Sequence, residues 1–157
     1  MFIMNILDIL KTIGKTFEAK IALVLIAARV MIQSSRLQAL FWAKNQDHIL
    51  DILNFSKQDK DKLNDKTIYL GLDYIQQNQE KIEDKLFKIY YGDNPPKRVY
   101  YDVTSTYVEG DYCNSKLVRY GYNRDGKKSK QQIVIGLLTD ENAHAISIHT
   151  YPGNTND

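Results

Sequence analysis

A single cysteine, Cys113, is present in 157 residues. One thiol forms no intramolecular disulfide and no multi-cysteine metal site. A reducing, cytoplasmic setting is the expectation. No local histidine stands ready to activate the thiol, which argues against a cysteine nucleophile. Long apolar runs are missing too. The longest, Ile21 to Ala28, is closed off by Lys20 and Arg29, well short of the about 20 residues of a membrane span. Lys11, Lys15 and Lys20 ahead of it imitate a signal peptide, but the run starts late and Arg29 follows at once. A buried helix and no membrane partner are therefore expected. Charge of one sign is also lacking. The 21 basic and 19 acidic side chains leave a formal charge of +2, which permits nucleic-acid binding without arguing for it. No Gly-rich phosphate loop, GxSxG, HExxH or CxxC occurs, so the common nucleotide-binding, hydrolase, metalloprotease and redox motifs are absent.

What is present divides into two halves. Residues 1 to 92 have helical spacing. Ile3, Ile6, Leu7, Leu10, Ile13 and Phe17 make one apolar stripe, weakened near its end by Gly14. Phe17 to Gln33 is apolar on most sides, as a central bundle helix is. Ser34-Ser35 can cap a next helix through Arg36, Leu37, Leu40, Phe41 and Trp42. Ile49, Ile52 and Leu53 suit a short further turn or helix, and the charged stretch Ser56 to Lys66 suits a loop or an exposed helix. Ile68, Leu72 and Ile75 mark one helix; Ile82, Leu86, Phe87 and Tyr90 mark another.

Two of the three prolines stand together at Pro95-Pro96. Proline removes a donor and restricts its predecessor, so helix stops there. Beyond it the period becomes two. Val99, Tyr101 and Val103 alternate with Tyr100, Asp102 and Thr104, a strand pattern. Gln132 to Leu138 is apolar on both faces, as a central strand is. Thr139 to Asn142 reads as a turn, Ala145 to Thr150 as a third strand, and the last two strands as an antiparallel hairpin.

Asp102 stands out because aspartate is disfavoured inside strands. Its spacing leaves two readings: a metal ion or basic partner, or the solvent face of an edge strand. Glu109 and Asp111 can add oxygen ligands for Mg²⁺, though a turn around Gly110 accounts for them better. Lys116, Arg119, Arg124, Lys127, Lys128 and Lys130 are interleaved with Tyr120 and Tyr122. Cations beside aromatics suit phosphates and unstacked bases; the plainer account is a solubilising loop around Asp125-Gly126. His144 and His149 would point to opposite faces of a strand, and His48 sits in a polar helical setting, so structural roles are expected for all three.

The run from Tyr100 to Tyr112, YYDVTSTYVEGDY, and the stretch from Leu117 to Asp157 resemble DDE-type transposases of bacterial insertion sequences. The resemblance is carried by Asp102-Val103-Thr104, by Gly121-Tyr122-Asn123-Arg124-Asp125-Gly126, by Gln132 to Leu138 and by Pro152-Gly153-Asn154-Thr155, and covers residues 97 to 157. It implies an α+β chain: a helical region, DNA-binding or oligomerising, then the first three antiparallel strands of an incomplete ribonuclease H-like core.

The same resemblance makes Asp102 the first carboxylate of an Asp-Asp-Glu triad that binds two Mg²⁺ ions for phosphodiester hydrolysis and strand transfer. It implies Arg119, Arg124, Lys127, Lys128 and Lys130 as contacts to DNA at the element's terminal repeats. The triad's other two acids lie downstream of the Gly-Asn-Thr motif in the family; Asp140 and Asp157 are not in that context. One carboxylate cannot hold two Mg²⁺ ions in the required geometry. The expectation is thus an N-terminal transposase fragment, inactive alone, with its third strand a sticky apolar edge along Ala145, Ile146 and Ile148. Two alternatives stand beside it. One is a non-catalytic DNA-binding or regulatory fragment, forming homo-oligomers or mixed oligomers with full-length transposase. The other is a different ribonuclease H-like nuclease, such as a Holliday-junction resolvase.

Overall fold

The structure is a computed structural model, and it describes residues 13–110, 112–122 and 129–155. The chain divides into two compact units, residues 1–90 and 91–157. Among the described residues, no helix is long and apolar enough to cross a membrane.

The first unit is helical. Gly14 takes φ 91° and Thr16 caps α1 (Phe17–Ile32), its hydroxyl accepting from the Ala19 N–H. The apolar stripe expected to run from Ile3 through Phe17 therefore breaks between Ile13 and Phe17. Glycine with positive φ takes residue 14 out of helical geometry, and the threonine cap starts the helix at Phe17. Positions 3, 6, 7 and 10 of that stripe lie outside the described residues. Ser35, the second of the two candidate caps, starts α2 (Arg36–Lys44) with a full capping box: its hydroxyl accepts from the Gln38 N–H, and Gln38 Oε1 accepts from the Ser35 N–H. Then come α3 (Asp47–Ile52) and α4 (Lys57–Lys62). The charged stretch around residues 56 to 66 is helical at its centre because Ser56 and Asp59 form a second capping box. Asp59 also accepts from Lys20 Nζ of α1 at 2.7 Å, and Lys60 reaches Asp51 of α3 at 2.8 Å. The Lys20 ammonium and the Ser56 N–H hold the Asp59 carboxyl below its ordinary range.

The two helices expected over residues 68–75 and 82–90 are one, α5 (Ile68–Tyr91). The polar bridge Gln76 to Lys81 contains no glycine or proline and consists mostly of good helix formers. Gln79 donates to Glu83 one turn on, at 2.9 Å. Where α5 crosses α1, Gly71 lies so close that a Cβ there would fall 2.8 Å from the Ala22 nitrogen. Ile13, Ile21, Val24, Leu63 and Ile68 are almost wholly buried and centre this unit's core.

The second unit is a three-stranded antiparallel sheet in the order β1 (Val99–Tyr107), β2 (Gln132–Asp140), β3 (Ala145–Pro152). The all-round apolar strand is central, as its composition implies. The hairpin of β2 and β3 forms as expected, with its turn starting two residues later, since Thr139 and Asp140 finish β2. The chain is thus α+β.

Candidate nucleic-acid and metal site

Register divides the sheet into two faces. Asp102 pairs with Leu137, and Leu137 pairs with Ile148; the next row is Thr104, Ile135 and Thr150. Asp102 is therefore a carboxylate in an otherwise largely apolar row, halfway along the first strand. It is exposed, and its carboxylate has no hydrogen-bond or ion-pair partner among the described residues. β1 is an edge strand, as one of the two sequence readings has it, but the row Asp102 occupies is not a polar one.

The opposite face carries aromatics. Tyr101 crosses over Gly136, where any Cβ would collide with the phenol ring, and donates to the Tyr151 hydroxyl at 3.1 Å. That bond to Tyr151 raises the Tyr101 pKa. His149 lies beside Tyr151, with ring centroids 6.3 Å apart. His144 is elsewhere, in the β2–β3 turn.

The three sequence motifs after Asp102 meet at one end of the sheet. Arg119 and Gln132 pair as an antiparallel bridge, with main-chain bonds of 2.8 and 3.1 Å. The Gly153 N–H donates to the Leu117 carbonyl at 2.9 Å. Gln132, almost wholly buried, donates from Nε2 to the carbonyls of Tyr122 and Gly153. Gly121 and Gly153 approach so closely that a Cβ on Gly121 would strike the Gly153 carbonyl, and one on Gly153 the Gln132 carbonyl. These contacts shut the base of the segment between Arg119 and Gln132. Tyr120 and Tyr122, near one end of that segment, are highly exposed.

Of the five candidate DNA-contacting cations, Arg124, Lys127 and Lys128 lie outside the described residues, as does Asp111. Arg119 turns Nη1 onto the carbonyls of Ser115 and Val118. Lys130 pairs with Glu109 at 3.1 Å. Glu109 is thus a partner of Lys130 and not a neighbour of Asp102 in a carboxylate cluster. Lys116 and Cys113 are exposed.

Sequence reading missed a second polar centre, at the end of β2. Asp140 is almost wholly buried, and its Oδ1 accepts from the main-chain N–H groups of Asn142 and His144. Oδ2 accepts from the Tyr91 hydroxyl at 3.1 Å and lies 3.0 Å from His144 Nδ1. Burial raises the Asp140 pKa, but the hydrogen bonds from His144, Asn142 and Tyr91 outweigh it and hold the carboxyl well below the usual range. Burial, then the bond to Asp140, pushes Tyr91 up to about 12. The available signal was an aspartate at a strand end, two residues before Asn142 and four before His144.

Among the described residues, no group of three or more His, Cys, Asp or Glu stands together to hold a metal ion. The two-ion site that the resemblance implies is therefore not assembled from these residues. No family model, no curated protein and no solved structure matches the chain.

Proposed function

We propose that this chain acts in DNA transposition, as the helical region and first three strands of a DDE-type transposase with a ribonuclease H-like core. In this reading Asp102 is the first metal-binding carboxylate, and Arg119, Arg124, Lys127, Lys128 and Lys130 face the DNA of the element's terminal repeats. The observation that carries it is the position of Asp102: an unpartnered carboxylate at the middle of the first strand of an antiparallel β1-β2-β3 meander. The meeting of Gly121, Gln132 and Gly153 adds support, because it gives three separate sequence motifs one shared location. An Mg²⁺ ion, where bound, would supply charge stabilisation at a phosphodiester. With one candidate ligand among the described residues, no chemical step is assigned to it.

The solitary state of Asp102 favours a second reading beside the first, DNA binding without cleavage by this chain. Two measurements separate them. Fluorescence anisotropy with terminal-repeat duplexes tests binding, which must weaken steeply with salt. Replacing Arg124, Lys127 and Lys128 together by alanine must weaken it and flatten the salt slope by about 2 to 3. No binding at low salt removes both readings. Mg²⁺ binding by the chain that Asp102→Asn removes favours the first reading over the second. Mg²⁺-dependent cleavage of the same duplexes, abolished by Asp102→Asn, overturns the expectation that the chain is inactive alone.

A further inference from the structure

The helical unit carries an apolar surface that the transposase reading does not use. At the junction of α1 and α2, Phe41 is 74 % exposed, Val30 70 %, Met31 61 % and Leu37 53 %. Side chains of this size are normally withdrawn from water, and their clustering marks an interaction site. The surface is concave. A groove of about 580 Å³ runs between Ile32, Leu37, Phe41 and Trp42. Ser34 joins it to a second groove of about 280 Å³, bordered by Arg29, Val30 and Arg36.

Charge narrows the occupant. Between Ala19 and Gln46 the chain has four cations, Lys20, Arg29, Arg36 and Lys44, and no Asp or Glu. Arg29, Arg36 and Lys44 are exposed, and Arg36 is held over the Tyr69 ring at 4.6 Å. A second copy docked through the same patch by two-fold symmetry would set these cations against one another. Nucleic acid answers the charge but leaves the aliphatic side chains without partners. A membrane surface is met by a convex apolar face, whereas this one is a groove. An apolar ridge with an acidic rim satisfies both features.

We propose that this groove binds an amphipathic helix of another protein, with apolar side chains at i, i+3, i+4 and i+7 seated between Ile32, Leu37 and Phe41. Its flanking Asp or Glu side chains face Arg29, Arg36 and Lys44.

Trp42 is the chain's one tryptophan and lies in the groove, so its fluorescence reports occupancy directly. The probe is a synthetic helical peptide with leucines at those positions and flanking glutamates, titrated into the full chain. The expected result is a saturable blue shift of Trp42 emission. Phe41→Ser and Arg36→Glu each weaken it at least about tenfold, a loss of about 1.4 kcal/mol. Both positions are exposed, and circular dichroism checks that each variant stays helical. Equal binding by a lysine-for-glutamate or a scrambled peptide overturns the proposal. So does absence of any shift at about 1 mM peptide, tighter binding to phosphatidylglycerol vesicles, or sedimentation of the chain as a dimer that Phe41→Ser dissociates.

Discussion

Gln132 donates from Nε2 to the Gly153 carbonyl at 2.8 Å, joining the first residue of β2 to the residue just past β3. The same nitrogen serves the Tyr122 carbonyl at 2.9 Å. Gln132→Leu keeps the side-chain volume and removes the Nε2 donor, leaving the carbonyl of Gly153 without this buried partner. The bond to exposed Tyr122 is only part-buried, and the unpartnered buried Oε1 of Gln132 is removed as well. An unsatisfied buried polar group costs about 1–3 kcal/mol. The expected loss is of that size by urea denaturation with the slope unchanged. A loss below about 0.5 kcal/mol, the scale of an ordinary surface substitution, would show that the end of the sheet is held by main-chain pairing alone.

Gly71 tests the α1–α5 crossing through two opposed effects. Inside a helix, Gly→Ala ordinarily gains up to about 1 kcal/mol. Here the added Cβ meets the main chain at Ala22 and Ile21, which cannot swing aside as a flexible side chain can. Overpacking of that kind costs about 1–3 kcal/mol. The steric term wins, so Gly71→Ala should lower the melting temperature. A rise would mean that α1 and α5 separate freely at this point.

These two positions show what the sequence discloses. The strand periods, the central place of Gln132 to Leu138, the β2–β3 hairpin and the Ser35 cap were legible because each rests on local spacing or a local hydrogen bond. The union of two expected helices into α5 was obscured because its middle is polar on every side, and apolar periodicity falls silent there. The break after Ile13 was hidden because Gly14 reads as a weak helix position unless its positive φ is known. Asp102 was legible as an anomaly of composition. The Gln132 contacts and the Tyr91–Asp140–His144 centre were not, because residues far apart in the chain make them. Tyr91 and Asp140 are 49 positions apart.

That polar centre sets the pH response. Asp140 has its pKa lowered in the folded state, so its contribution to stability is present above the unfolded value of about 3.9 and is lost as pH falls below it. Asp140→Asn should therefore be less stable than the parent at neutral pH, with the gap closing in acid. Tyr91 behaves oppositely. Its pKa is raised to about 12, so the unfolded chain releases its proton first, near 10. Stability is fully present below about 10 and declines between about 10 and 12. Tyr91→Phe should reduce that alkaline decline, leaving the part that comes from Tyr101, whose pKa is also raised. Denaturation midpoints across pH 2–12 check both limbs, and a gap for Asp140→Asn that stays constant into acid contradicts the acid limb.

Asp102 offers a prediction of the reverse sign. A residue kept for stability makes contacts that its removal breaks. Asp102 has no side-chain hydrogen bond or ion pair among the described residues, and it shares its row with Leu137 and Ile148. Strand preference favours valine over aspartate by up to about 1 kcal/mol, and valine suits the apolar row better. Asp102→Val should therefore raise the denaturation midpoint, and Asp102→Asn should leave it nearly unchanged. Sites held for chemistry commonly carry such a stability cost. A clear loss of stability in both variants would give Asp102 a structural partner and take away the principal support for the proposal that it is a metal ligand.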